Sequence, residues 1–235
     1  MQQPPGYVDS LHLSYVCKLY KSLYGLKQAP RAWFKRFTFH LLHVGFTASL
    51  ANSFLFIFQS SSTIIYLFLY VDDIIVTGNS ASKVADLITA IIQVFQLKDL
   101  GPLSYFLGIQ ISHSKYGISL TQSKYAFDVL HWFNMENSKI VKTPSCSSSR
   151  LVPHSGILLF DPTVYRSMVG AFQYLTFTRP NLAFNVHQLC QFMSKPTSVH
   201  LEVAKHVLRY LRGTLNHGIC FSPGPLSLTA FSDTD

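Results

Sequence analysis

LFLYVDDIIV, residues 67–76, sets two adjacent acids, Asp72 and Asp73, inside a run that is otherwise aliphatic and aromatic. IIYLFLY (64–70) has the β-branched and aromatic content of a strand, and IIVTGN after Asp73 has that of another. FLFIF (54–58) and the polar link QSSST supply a third strand ahead of them. The acids then fall at the tip between two apolar strands. A buried, unpaired carboxylate costs several kcal/mol and two neighbours repel, so such a tip calls for a cation. Hard oxygen ligands favour magnesium or manganese. The same pair also fits a solvent-exposed turn, for which Asp is a good former.

Working outward, Gly25 marks a turn and Pro30 suits the first turn of a helix that carries Trp33, Phe37, Leu41 and Val44 at spacings of three and four. The opposite face holds Arg31, Lys35 and Arg36. From Ser80 the period lengthens, with Val84, Leu87, Ile88, Ile91, Val94 and Phe95 on one helical face, capped by Ser80 or Ser82 and ended by LKDLGP. YFLGIQIS and YGISLTQ read as two more strands, so the first half is expected to be an α+β unit with a mainly antiparallel sheet. KTPSCSSSRLVPHSG is a Ser- and Pro-rich linker, where a domain boundary is expected. Beyond it, helices are expected from Asp161 and Pro162, from Pro180, and from about Ser198 to Arg212, the last gathering Lys205, Arg209 and Arg212 near its end. GICFSPGPLSLTAFSDTD reads as two strands that stop without a partner helix.

The hydrophobic share of 48% is ample for a core, so the chain is expected to fold. Charged residues make up only 13%, yet the balance is +8, which fits a polyanionic partner as well as it fits simple solubility. The four cysteines are far apart, and histidine pairs such as His40/His43 or His200/His206 lack the acidic or cysteine companions of a metal site, which argues for free thiols and against zinc. Residues 64–76, the longest greasy stretch, are cut by the two acids and are too short to span a bilayer, so no membrane role is expected. No targeting signal is seen.

YVDD between apolar strands resembles the catalytic hairpin of reverse transcriptases. LYKSLYGLKQAPRAWF, LFLYVDDIIVTG, FQLKDLGPLSYFLGIQI, LTQSKYAFDVL, YRSMVGAFQYLTFTRPNLAFNV and HLEVAKHVLRYLRGT follow in the order seen in the copia-type retrotransposon Pol polyprotein. That resemblance covers essentially the whole chain. It implies an α+β, incomplete right-hand polymerase fold: partial fingers and palm at 1–120, a thumb-like region at 121–178, a helical connection at 179–225, and the start of a ribonuclease H-like domain at 226–235.

It also implies RNA-directed DNA synthesis, with Asp72 and Asp73 as catalytic and metal-binding acids, magnesium or manganese as the ion, and an RNA template, a DNA primer and deoxynucleotides as partners. Tyr70 and Val71 would lie beside the primer end and the incoming nucleotide. Lys27 and Gln28 match the nucleotide-pocket segment, although a plain helix start explains them too. Phe106, Leu107, Gly108 and Ile109 resemble the primer grip, with ordinary strand core as the competing reading. Arg166, Gly170 and Tyr174, at i, i+4 and i+8, resemble the thumb stripe that follows the duplex minor groove, where helix packing is the alternative. Asp233 matches the first ribonuclease H carboxylate. The setting implied is cytoplasmic, within a virus-like particle, or nuclear, in association with the rest of a Pol polyprotein.

One part of the family pattern has no match. A third aspartate, which bridges both metals, belongs just upstream of the segment in which this chain begins, and Asp9 follows PPGYV rather than preceding it. The isolated chain is therefore expected not to polymerise, and a catalytically dead chain that still binds RNA/DNA duplexes is the alternative reading.

Overall fold

In a computed structural model of the chain, the structure describes residues 1–235 except 21, 22, 24, 146–150, 226, 228, 231 and 233–235. Period-two patterning becomes the strand β3 (Ile64–Tyr70), which follows β1 (Thr47–Ala48) and β2 (Leu55–Gln59), with Ile65, Leu67 and Leu69 buried and Tyr66 and Tyr70 exposed. β3 pairs antiparallel with β2 and with β4 (Asp73–Gly78), so the sheet order is β1-β2-β3-β4. Two helices, α1 (Ala29–His43) and α2 (Ala81–Phe95), supply the other half of the core. Phe37 and Leu41 of α1 and Ile91 of α2 bury against Phe56, Ile65, Leu67 and Leu69. The Phe37 ring stacks on Trp33 at 5.1 Å and meets Phe95 edge-on at 4.8 Å.

A second sheet, order β5-β6-β7-β8, is built from β5 (Tyr105–Phe106), β6 (Ile109–Ser114), β7 (Gly117–Thr121) and β8 (Gly218–Phe221). Four helices accompany it: α3 (Ser123–Trp132), α4 (Thr163–Leu175), α5 (Pro180–Cys190) and α6 (Ser198–Gly213). Their inward stripes share one cluster that includes Val129, Tyr165, Phe172, Leu182, Leu189 and Leu208. The Tyr165 hydroxyl donates to the Leu189 carbonyl at 2.7 Å, which gives the deepest polar group of the cluster a partner. Arg179, buried at the start of α5, donates to the carbonyl and hydroxyl of Thr214, both at 2.8 Å, tying that end to the end of α6.

Several expectations change here. The two compact units are Met1–Gly101 and Pro102–Asp235, so β5, β6 and β7 belong with the helices and not with the first sheet. The cause is β8, which returns after α6 to pair with β7, Ile118 opposite Phe221. Helix α3 was not anticipated at all. Pro162 precedes α4 instead of opening it, and Asp161 accepts the Thr163 N–H at 2.8 Å; the Thr163 side chain first and this N–H second hold its carboxyl below the usual range. Beyond β8, none of the described residues is in a strand. The basic end of α6 also has a different use: Arg209 donates to the Lys139 carbonyl at 2.8 Å and Arg212 to that of Ser138, latching this segment onto the helix.

A buried histidine makes the second unit pH-sensitive. His200 lies in a capping box at the start of α6, its Nδ1 accepting the Thr197 N–H at 3.0 Å while its Nε2 faces the Val152 carbonyl at 3.3 Å. Burial first, and only then the opposing bond to Val152, sets its shift below the ordinary histidine value. The unfolded chain therefore takes up the proton first as pH falls below about 6.5, and folding stability declines from there down to the folded value. Melting temperature is expected to drop between pH 7.5 and 5.5, and less so in His200→Gln. A flat profile in the parent chain contradicts this.

Candidate active site

The apex of the β3–β4 hairpin is a two-residue turn, Val71 and Asp72, closed by the facing pair Tyr70 and Asp73. Of the two turn residues only Val71 has positive φ, at 52°, which matches the II′ pattern of tight hairpins. A β-branched side chain is strained in that region, so the surrounding strands impose the turn. Tyr70, Val71, Asp72 and Asp73 are all exposed. Among the described residues neither carboxylate accepts a hydrogen bond or pairs with a cation.

The expectation that these acids sit in apolar surroundings is thereby corrected. The greasy residues form the walls of the hairpin, and its tip is exposed to solvent. The donor chemistry fits a hard dication, since carboxylate oxygens are what magnesium and manganese take. Their number does not complete a site: no group of three His, Cys, Asp or Glu side chains able to hold a metal occurs among the described residues. Asp72 and Asp73 would hold part of such an ion's shell, with the remaining ligands from phosphate, water or other protein.

Residues 1–147 match the family model described as reverse transcriptase (RNA-dependent DNA polymerase). The chain belongs to the reverse transcriptase family. The Retrovirus-related Pol polyproteins from transposons RE1 and RE2 of Arabidopsis thaliana are each 47% identical to it over 100% of its length. The corresponding polyprotein from transposon TNT 1-94 of Nicotiana tabacum is 35% identical, again over 100%. This chain spans 16% of the first two relatives and 18% of the third, and is thus the reverse transcriptase region of a copia-type Pol polyprotein. No solved structure matches it.

Within this reverse transcriptase region the remaining candidate residues fall into separate groups. Lys27 and Gln28 are exposed in the turn before α1, where the Gln28 carbonyl accepts the Ala32 N–H at 3.1 Å and no bond links either side chain to the acids. Phe106 ends β5 and Ile109 opens β6, with Leu107 and Gly108 forming the turn at φ 46° and 75°. Both values are left-handed, so glycine at 108 is favoured, and a Cβ there would come within 2.7 Å of the Tyr174 hydroxyl. That hydroxyl donates to the Leu107 carbonyl. The structure thus brings Leu107, Gly108 and Tyr174 together.

Arg166, Gly170 and Tyr174 do share α4, and nothing lies within 4 Å of a Cβ placed on Gly170, which leaves that point of the helix open. Arg166 directs its Nε to the Met193 carbonyl at 2.8 Å and a terminal nitrogen to that of Ser194 at 3.2 Å, so its fork is engaged by the turn after α5. Asp233 lies outside the described residues. Sequence reading missed the aromatic neighbours of Tyr174: Tyr125 meets it edge-on at 4.8 Å, and Trp132 meets Tyr125 at 5.8 Å. Residues 125, 129 and 132 have helical spacing, which was the available signal for α3.

Proposed function

We propose that this chain supplies the metal-binding hairpin and part of the duplex-holding surface of an RNA-directed DNA polymerase. The observation that carries the reading is the apex itself: two exposed carboxylates, without a partner among the described residues, on a strained tight turn in a chain of reverse transcriptase family membership. The reaction is in-line attack of a primer 3′ hydroxyl on the α-phosphate of a deoxynucleotide, with pyrophosphate leaving. Bound magnesium would lower the charge of the phosphates and activate the hydroxyl. Asp72 and Asp73 would hold the ion at the apex, between β3 and β4. Tyr70 and Val71 present apolar surface next to that point. The Gly170 face of α4 offers a place where a nucleic-acid backbone can approach closely, whereas the side of Gly108 that a Cβ would occupy is taken by Tyr174.

A second reading is favoured for the chain by itself, because no third metal-ligating side chain joins the pair among the described residues. On that reading it grips an RNA/DNA hybrid without extending it. Fluorescence anisotropy on a labelled hybrid, with primer extension on an RNA template in magnesium, separates the two. Salt-dependent binding with no incorporation is expected for the chain alone, and the absence of any slope in log affinity against log salt would overturn the duplex-holding part.

A further inference from the structure

From the outer face of α1 we infer that this protein carries a track for single-stranded RNA, separate from the hairpin. Residues 10–71 hold six lysines and arginines and not one acid. On α1, Arg31, Lys35, Phe39 and His43 recur every four residues, a spacing of about 6 Å along the axis, and all four are exposed. Phe39 is 73% exposed, so its ring face is open to a ligand. Its ring stacks parallel to that of His43, 6.5 Å apart and inclined by 12°.

None of the described residues pairs an acid with Arg31 or Lys35. Arg36 is different, since its guanidinium lies 5.7 Å from the Phe95 ring and serves the packing. Phe37 and Leu41 bury on the opposite side of α1, against the sheet that carries Asp72 and Asp73. The ridge therefore faces away from that sheet, and the polymerase reading makes no use of it.

Two chemistries coincide along this ridge. Cations without counter-ions attract a phosphate backbone, and flat rings beside them give bases a surface to stack on. A paired duplex hides its base faces, so two cations followed by two exposed rings favour an unpaired strand. RNA fits a protein of this family, but recognition here rests on phosphates and base faces alone, and the inference stands whether or not the hairpin is catalytic.

The test is anisotropy with a labelled, unstructured 20-nucleotide RNA and the full chain. Arg31→Gln with Lys35→Gln is expected to weaken binding at least tenfold and to flatten the salt slope by about 1.4, at roughly 0.7 for each phosphate that is no longer neutralised. Phe39→Ala is expected to weaken it roughly tenfold with little change of slope. A charge-matched control, Lys115→Gln with Lys124→Gln, should stay within about threefold of the parent, and circular dichroism should be unchanged throughout. RNA binding that survives the ridge variants, an equal loss in the control, or ridge-dependent binding to phosphatidylserine vesicles in place of RNA would each overturn the inference. Loss of hybrid binding with RNA binding kept would count against the duplex surface and leave the ridge standing.

Discussion

In a complete polymerase built from the Pol polyprotein, Asp72→Asn and Asp73→Asn are each expected to reduce nucleotide incorporation on the order of 10³-fold. Asparagine keeps the shape of the side chain and removes one negative charge from an apex where two stand side by side. Nothing else among the described residues replaces that ligand. Because both side chains are exposed and neither carboxylate is bonded to any of the described residues, melting temperature should be unchanged or slightly raised, as a repulsion is relieved. Primer–template affinity should also hold. Steady-state incorporation on an RNA template checks this, and near-parental rates in either variant would mean that the hairpin is not the catalytic metal site.

Phe172→Ala is the second change with a large expected effect, a loss of about 3–5 kcal/mol of folding stability. Phe172 is fully buried on α4, in the cluster shared with α3, α5 and α6. Removing its ring leaves a cavity in this cluster, whose members, Val129, Leu182 and Leu208 among them, sit on separate helices and cannot all close in at once. Urea denaturation followed by circular dichroism is the measurement. A shift under about 1 kcal/mol would show that the four helices do not share a tightly packed core.

How far the sequence was legible depended on whether each feature is local. Alternation in 64–70 located β3, and Pro30 with Trp33, Phe37 and Leu41 located α1, because strand and helix periods are properties of short windows. The second unit was harder. Ser119 and Cys220 face each other across β7 and β8 although 101 residues separate them, and no period within either strand announces such a partner. The apex was half legible. Its composition disclosed two acids between apolar strands, yet composition describes the walls, and only the register of Tyr70 on Asp73 shows that the tip stands clear of them. Arg166 teaches the same lesson. Helical spacing put it on α4, but the carbonyls of Met193 and Ser194 that hold it come from a turn 27 and 28 residues away.

The claim on which the functional account rests is that the apex binds a hard dication, and paramagnetic broadening tests it most directly. Manganese titrated into isotope-labelled protein should first erase the amide signals of residues 71–74, and should spare them in Asp72→Asn combined with Asp73→Asn. Broadening that begins elsewhere, or that reaches this turn equally in the double variant, would contradict it.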